Sequence, residues 1–209
     1  MIQVDKINAG SNCYLITQND VSILVDTGLK GFEKKILKQC EGKPVKLIVL
    51  THGHIDHVQN AAYLAEKLQA PIAMHEKDVP LLENNLCRKM KAKGLFGNIV
   101  RFFSMQSAKS TKLESFQIER YLKEGDSLEN IGVDAKILEL PGHTAGSIGV
   151  IVGNALFVGD ALMHMTTAGP SLLFEDYNQM IKSVRKVQNQ GDFDIYFGHG
   201  NIVKNRKWV

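Results

Sequence analysis

Cysteine is scarce in this sequence and forms no recognisable pattern. The 209 residues contain three cysteines, Cys13, Cys40 and Cys87, and no two of them have C-x-x-C spacing. An odd number of widely separated cysteines predicts neither a disulfide framework nor a structural zinc knuckle. The scarcity therefore argues against a disulfide-stapled secreted protein and favours a reducing compartment.

Long apolar runs and dense charge tracts are also missing. No run of 18 apolar residues occurs, and the N-terminal stretch lacks the basic and apolar regions of a signal peptide, so we expect a cytoplasmic protein without membrane association. The net charge of +3 is too small to predict nucleic-acid binding. The remaining composition, 44% hydrophobic and 22% charged, is typical of one globular domain over residues 1–209.

Short strands alternate with helices along most of the chain. Three strand patterns, "MIQVDKI", "NCYLIT" and "VSILVDTG", precede a helical pattern at 31–40 and the apolar run "PVKLIVLTH". Residues 56–70 predict one helix capped by Asp56, and a second helix is expected at 176–190. The strand patterns "VDAKILELPGH", "NALFVGD" and "FDIYFGHG" each end at a candidate ligand. This alternation predicts α/β layers around one core.

Residues 76–113 differ from the rest and predict a helical or lid insertion. Residues 76–94 are helical in pattern and 98–112 are ambiguous, while the stretch from 88 to 112 holds seven basic residues and no acid. The basic residues either attract an acidic substrate or form a solvated helix face, and the apolar residues either cap a site or form a homodimer contact. The basic set is Arg88, Lys89, Lys91, Lys93, Arg101, Lys109 and Lys112, and the apolar set is Leu95, Phe96, Phe102, Phe103 and Met105.

Histidine is concentrated in the stretch "THGHIDH", which holds His52, His54, Asp56 and His57. Imidazole nitrogen and carboxylate oxygen suit zinc and similar metals, which need several convergent ligands. If His52 and His54 continue the preceding strand, their side chains project to the same side and meet one metal. Asp56 and His57 follow on a turn, beside that position. Two adjacent cations are therefore suggested.

Further ligands are expected where other strands end. His143 follows "ILELPG", Asp160 follows "ALFVG" and His199 follows "DIYFG". Because open α/β sheets place binding groups beyond strand ends, all three can meet over one edge. Five of the seven histidines in the chain then belong to one ordered set.

The motifs "THGHIDH", "PGHTAGSIG", "LFVGDAL", "YFGHG" and "LVDTG" resemble those of the metallo-β-lactamase-fold hydrolase superfamily over essentially the whole length. The resemblance implies a four-layer αβ/βα sandwich with a two-metal site at its edge. It assigns His52, His54 and His143 to one metal and Asp56, His57 and His199 to the other, with Asp160 bridging. The implied cofactors are two divalent ions, Zn²⁺ first, with Mn²⁺ or Fe²⁺ as alternatives.

A two-metal site of this kind predicts hydrolysis of an ester-type bond in a small-molecule substrate. Two cations about 3.5 to 4 Å apart lower the pKa of a shared water from 15.7 toward roughly 7 and polarise the bond that the resulting hydroxide attacks. Asp56 is the candidate catalytic residue, because its carboxylate can accept a hydrogen bond from that water. Asp26 is a candidate for orienting a ligand histidine, and His164 for lining a substrate pocket.

Comparison within the superfamily favours a thioesterase-like enzyme. A bridging Asp160 resembles the thioesterases of the glyoxalase II type, whereas true β-lactamases carry another residue there. Glyoxalase II proper has a further C-terminal helical region, and this sequence ends ten residues after His199. Lactones and phosphodiesters stay open as substrates. A persulfide dioxygenase with one iron is an alternative, and a metal-binding module without turnover is a third hypothesis.

Overall fold

The computed structural model describes residues 2–209. The strands in this part of the chain are β1 (Ile2–Ala9), β2 (Ser11–Gln18), β3 (Val21–Val25), β4 (Val45–Val49), β5 (Ile72–Met74), β6 (Lys91–Ala92), β7 (Arg120–Tyr121), β8 (Ala135–Glu139), β9 (Ile148–Val152), β10 (Ala155–Phe157), β11 (Leu162–His164), β12 (Ala168–Pro170), β13 (Leu173–Phe174), β14 (Asp194–Tyr196) and β15 (Val203–Lys204). The helices are α1 (Glu33–Cys40), α2 (Ile55–Val58), α3 (Ala61–Leu68), α4 (Val79–Glu83), α5 (Gly94–Ser110) and α6 (Tyr177–Gln188). Two 3₁₀ turns cover Glu76–Asp78 and Glu129–Ile131.

Two larger sheets form the centre of the molecule. The first has the order β1-β2-β3-β4-β5-β7, with an antiparallel meander from β1 to β3 and parallel pairing from β3 onward. The second has the order β15-β14-β10-β9-β8 and is antiparallel except for the β10–β14 pair. Two small pairs, β11–β12 and β6–β13, lie beside them.

The packing of apolar side chains divides the molecule into layers. One core cluster joins the facing sides of the two sheets and includes Ile23, Val49, Val150 and Phe157. A second cluster packs α1 and α3 on the outer face of the first sheet, and a third packs α6 on the outer face of the second. Each sheet thus buries both faces, as strands with continuous apolar runs require. The order of layers is helix, sheet, sheet, helix, which confirms the predicted α/β sandwich.

Several predicted elements differ in their bounds. The predicted helix at 56–70 is two helices, α2 and α3, and Asp56 lies inside α2 and does not cap it. Within 76–94, the helical pattern is realised only at Glu76–Glu83, and the chain then runs irregularly to β6. The ambiguous segment 98–112 falls almost entirely within α5, the longest helix among residues 2–209. None of the helices in this range has the length and apolar character needed to cross a lipid bilayer.

Candidate metal centre

The seven predicted donor residues follow the ends of four strands. His52, His54, Asp56 and His57 come after β4, His143 after β8, Asp160 after β10 and His199 after β14. The prediction that His52 and His54 continue a strand is wrong, because β4 ends at Val49. The two side chains are therefore positioned by the loop that follows β4 and not by the alternation of a strand. Their rings are perpendicular, with centroids 4.8 Å apart.

The fold brings all seven donors together in three overlapping groups. Within each group, one donor atom per residue lies within 4.8 Å of the others, and the groups are His52, His54 and His143; Asp56, His57 and His199; and His52, His57 and Asp160. The first two match the two triads that the resemblance implied. The third contains the residue expected between them.

Asp160 lies between the two triads. Its Oδ2 is 3.8 Å from His143 Nε2 in one triad and 3.5 Å from His199 Nε2 in the other, and its Oδ1 is 3.5 Å from His57 Nε2. This close approach requires glycine at position 198, because a Cβ there would overlap the Asp160 carboxylate. The backbone of the β14 loop therefore passes directly against the centre.

The donor set fits divalent metal ions. His52 Nε2, His57 Nε2 and Asp160 Oδ1 are buried without a hydrogen-bond partner, an arrangement that is unfavourable for polar atoms unless something binds them. In two of the histidines, the Nδ1 atom already has a partner. His57 Nδ1 lies 2.8 Å from Asp26 Oδ2, and His143 Nδ1 lies 2.8 Å from the Leu173 carbonyl oxygen. Such contacts fix the ring so that the second nitrogen presents its lone pair inward.

Burial and mutual charge shift the titration of the whole cluster. Burial lowers the pKa of His52 and His143, and burial together with the neighbouring His143 lowers the pKa of His54 to about 3. Burial alone would raise the pKa of Asp160, but the charges of His199 and His57 lower it to about 2. The pKa of Asp56 is lowered in the same way, so both carboxylates are ionised at neutral pH. In His57 and His199 the carboxylates outweigh burial and raise the pKa.

Of the two residues predicted to support the site, Asp26 contacts a donor and His164 does not line the cavity. Asp26 has a left-handed backbone with φ of 60°, and its carboxylate accepts hydrogen bonds from the Thr51 amide and hydroxyl as well as contacting His57. Met163 and Met165 line the cavity beside the centre, whereas the His164 ring lies 2.8 Å from the Asn201 carbonyl oxygen. Alternate residues of a strand point to opposite sides, so His164 faces away from its neighbours.

Asp78 is a buried residue that the sequence did not indicate. Its carboxylate accepts from the Gly53 amide at 3.0 Å, the Thr144 hydroxyl at 2.6 Å and the Gly146 amide at 2.8 Å. Arg88 Nη2 adds a fourth hydrogen bond at 2.6 Å. One side chain thus ties the loop of His52 and His54 to the loop of His143. No local pattern predicts this, because most of its partners are distant in sequence.

A cavity of about 700 Å³ opens beside the centre. Five of the seven donors line it: His54, Asp56, His143, Asp160 and His199. Further lining comes from residues 85–90 and from α5, which lie within the segment predicted as an insertion. A small-molecule substrate fits a cavity of this size.

The fold and the cluster define a class of protein: a four-layer α/β sandwich with a His/Asp cluster suited to metal ions beyond its strand ends. The family model described as metallo-beta-lactamase superfamily matches residues 8–199. The chain belongs to this superfamily, which confirms the predicted family.

Known relatives agree over nearly the full length. A probable metallo-hydrolase from Methanocaldococcus jannaschii is 27% identical over 209 residues, covering 97% of this chain and 93% of that protein. The hydroxyacylglutathione hydrolase GloC from Haemophilus influenzae is 30% identical, covering 92% of this chain and 86% of that protein. A crystal structure of TTHA1623 in a di-iron-bound form has a TM-score of 0.72 at 23% identity and covers 99% of this chain and 100% of that one.

Proposed function

We propose that the chain is a dinuclear metal-dependent hydrolase that cleaves an ester-type bond, with acyl thioesters as the first candidate substrates. The observation that carries the proposal is the pair of donor triads with Asp160 between them, at the wall of a cavity of about 700 Å³. A single cation uses three or four protein ligands, so seven convergent donors exceed what one ion needs.

In this proposal each triad holds one divalent cation. His52, His54 and His143 would hold the first and Asp56, His57 and His199 the second, with Asp160 as a further donor between the two triads. Nitrogen and carboxylate donors favour Zn²⁺, with Mn²⁺ or Fe²⁺ as alternatives. Iron is included because TTHA1623, which shares the fold, was crystallised in a di-iron-bound form. Bound as a pair, the cations would supply Lewis-acid polarisation and an acidified water.

The residues of the chain supply orientation and a proton acceptor. Asp26 and the Leu173 carbonyl hold the rings of His57 and His143, so the donor set is organised before any ligand arrives. Asp56 lines the cavity and its side chain is 35% exposed, against 5% for Asp160. Asp56 is therefore the carboxylate that meets solvent and substrate, and it is the group proposed to accept a hydrogen bond from the attacking water.

Two observations support a thioester as substrate. The name of the Haemophilus relative specifies hydrolysis of hydroxyacylglutathione, which is an acyl thioester. The cavity wall includes apolar side chains such as Leu29, Met90 and Val100, which can contact the acyl part of such a compound. Lactones and phosphodiesters remain the alternatives that the assay compares.

The metal content is the first test. Purified protein loaded with Zn²⁺, Mn²⁺ or Fe²⁺ and then desalted should retain two ions per chain by elemental analysis. Asp160→Ala should retain fewer, and the matched control Asp192→Ala, whose side chain is 89% exposed, should retain two. One iron per chain, with oxygen consumption on a persulfide, would make the dioxygenase alternative correct and this proposal wrong.

Turnover is the second test. The metal-loaded chain is assayed on a panel of acyl thioesters, lactones and phosphodiesters, and we expect thioesters to be cleaved fastest. Asp160→Ala should lower kcat/KM by about hundredfold or more, whereas Asp192→Ala should not change it. Two bound ions with no turnover on any of the three classes would favour the metal-binding module.

A further inference from the structure

The cavity has one sign of charge outside the metal centre. Among residues 2–209, the only carboxylates that line it are those of Asp56 and Asp160, both members of the donor set. Its remaining charged lining residues are Arg88, Lys89 and Arg101. A concave wall that holds cations and no further acid attracts anions and concentrates them in the cavity.

The two arginines in this wall differ in their partners. Arg88 donates to Asp78 at 2.6 Å, and its Nε lies 3.1 Å from Glu175 Oε1, so its charge is matched by two carboxylates. Arg101 has no carboxylate oxygen within 4.0 Å in the described range 2–209, and its side chain contacts Met105 Sδ at 3.6 Å. Its Nε is buried and lacks a hydrogen-bond partner. Of the two arginines in this wall, Arg101 is therefore the one whose charge no carboxylate of residues 2–209 matches.

Much of the cavity lining is apolar, although Ser104 and Ser107 of α5 also contribute to it. Its lining includes Met90, Val100, Phe103, Met163, Met165 and Leu173. Methionine and aromatic side chains accept flexible apolar groups of varied shape. A ligand that fills the cavity must combine an apolar part with a group that satisfies the arginine.

We infer that the substrate is an amphiphilic acyl ester or thioester whose anionic group, a carboxylate or a phosphate, binds Arg101 of α5 while its apolar part contacts the methionine-rich wall. The planar guanidinium matches both anions through paired N–H donors. This inference rests on the proposed function for the nature of the cleaved bond. In this inference, α5 supplies the contact by which the enzyme prefers an anionic substrate to a neutral one.

The test measures binding of ligands that cannot be cleaved. Isothermal titration compares three thioethers, S-hexyl-3-mercaptopropionate, its neutral amide, and the analogue with a phosphate in place of the carboxylate. We expect wild type to bind an anionic thioether about tenfold more tightly than the amide. The stronger of the two anionic ligands identifies the natural anion as carboxylate or phosphate.

Three variants locate the preference. Arg101→Gln should reduce the anionic-to-neutral ratio to about one, and Arg101→Lys should retain part of it, because the charge stays but the paired donors are lost. Lys109→Gln removes an exposed charge from the same helix, outside the cavity lining, and should keep the full ratio. Thermal unfolding checks that each variant is folded. Equal binding of anionic and neutral thioethers by wild type, or an unchanged ratio in folded Arg101→Gln, would overturn the inference.

These measurements separate the two proposals. The thioethers contain no scissile ester-type bond, so their binding does not depend on hydrolysis. If thioesters are not cleaved but the Arg101-dependent preference is present, the proposed function is wrong and the anion contact stands. If thioesters are cleaved and the preference is absent, the proposed function stands and the anion contact is wrong.

Discussion

Asp78 places one carboxylate at the junction of two donor loops. Each of its oxygens accepts two hydrogen bonds, Oδ1 from Arg88 and Gly146, and Oδ2 from Gly53 and Thr144. An asparagine at position 78 would replace one of these oxygens by an NH₂ group. That group is itself a donor, so it could not accept the two hydrogen bonds that the oxygen accepts. We expect Asp78→Asn to lower the free energy of unfolding by about 3 kcal/mol in urea titrations.

An exposed aspartate serves as the control for this prediction. Asp192→Asn should change the free energy of unfolding by less than about 0.5 kcal/mol, because its side chain is 89% exposed. Equal effects of the two substitutions would mean that the network around Asp78 does not stabilise the fold.

The sequence predicts the metal-donor residues better than it predicts the residues that surround them. The seven donors could be found because each follows a short apolar strand or lies in "THGHIDH", a pattern within a few residues. Asp78 and Arg101 carry no such pattern. The hydrogen bonds of Asp78 join residues as far as 68 positions apart, and the isolation of Arg101 becomes visible only once its neighbours are known.

At the scale of elements, the loop that follows β8 packs closely against α6 because it has glycine at position 142. Gly142 has φ of 132°, and a Cβ there would overlap the backbone of Met180. Gly142→Ala should therefore lower the free energy of unfolding by about 3 kcal/mol, from backbone strain and steric overlap together. Gly191→Ala is the matched control, since φ is 97° there but no atom lies within 4 Å, and it should cost about 1 kcal/mol. Similar losses in urea unfolding would argue against a tight contact between the loop and α6.

The helix α5 presents neighbouring phenylalanines to different surroundings. Both side chains are largely exposed, Phe102 to 57% and Phe103 to 66%, but Phe103 lines the cavity and Phe102 does not. If α5 forms part of the substrate wall, Phe103→Ala should raise KM for a thioester about tenfold and Phe102→Ala should change it less than about twofold. Steady-state kinetics on both variants tests this. A larger effect of Phe102→Ala would contradict the placement and favour the homodimer contact, which light scattering would detect.

The start and end of a helix are predicted least well where they depend on contacts with residues that are distant in sequence. The break between α2 and α3 falls at Gln59 and Asn60, and the Asn60 amide donates to the carbonyls of Thr27 and Leu29, far away in sequence. The apolar periodicity from Ala61 onward is unaffected, so α3 could be predicted but its start could not. In the 98–112 segment, large apolar residues that stay exposed on α5 blur the helical pattern.

At the scale of the whole molecule, the donor set joins the two sheets. His52, His54, Asp56 and His57 follow β4 of the first sheet, whereas Asp160 and His199 follow β10 and β14 of the second. Ions bound between them would hold the sheets together at this edge. The single-domain assignment and the cytoplasmic location stay predictions.

Metal binding should therefore stabilise the entire fold in a pH-dependent way. A ligand at 1,000 times its dissociation constant adds about 4 kcal/mol, so excess Zn²⁺ at pH 7.5 should raise the Tm of chelator-treated protein by several degrees. Histidine ligands must be neutral to bind, and the raised pKa of His57 and of His199 makes protons compete with the ion at these two rings as the pH falls, so the gain should shrink at pH 5.5. Asp160→Ala should lose most of the gain, and His164→Ala should keep it, because the His164 ring lies outside the three donor groups. Differential scanning calorimetry at both pH values gives the measurement. A wild-type Tm that is insensitive to Zn²⁺ at pH 7.5 would mean that the seven donors do not act as a metal centre.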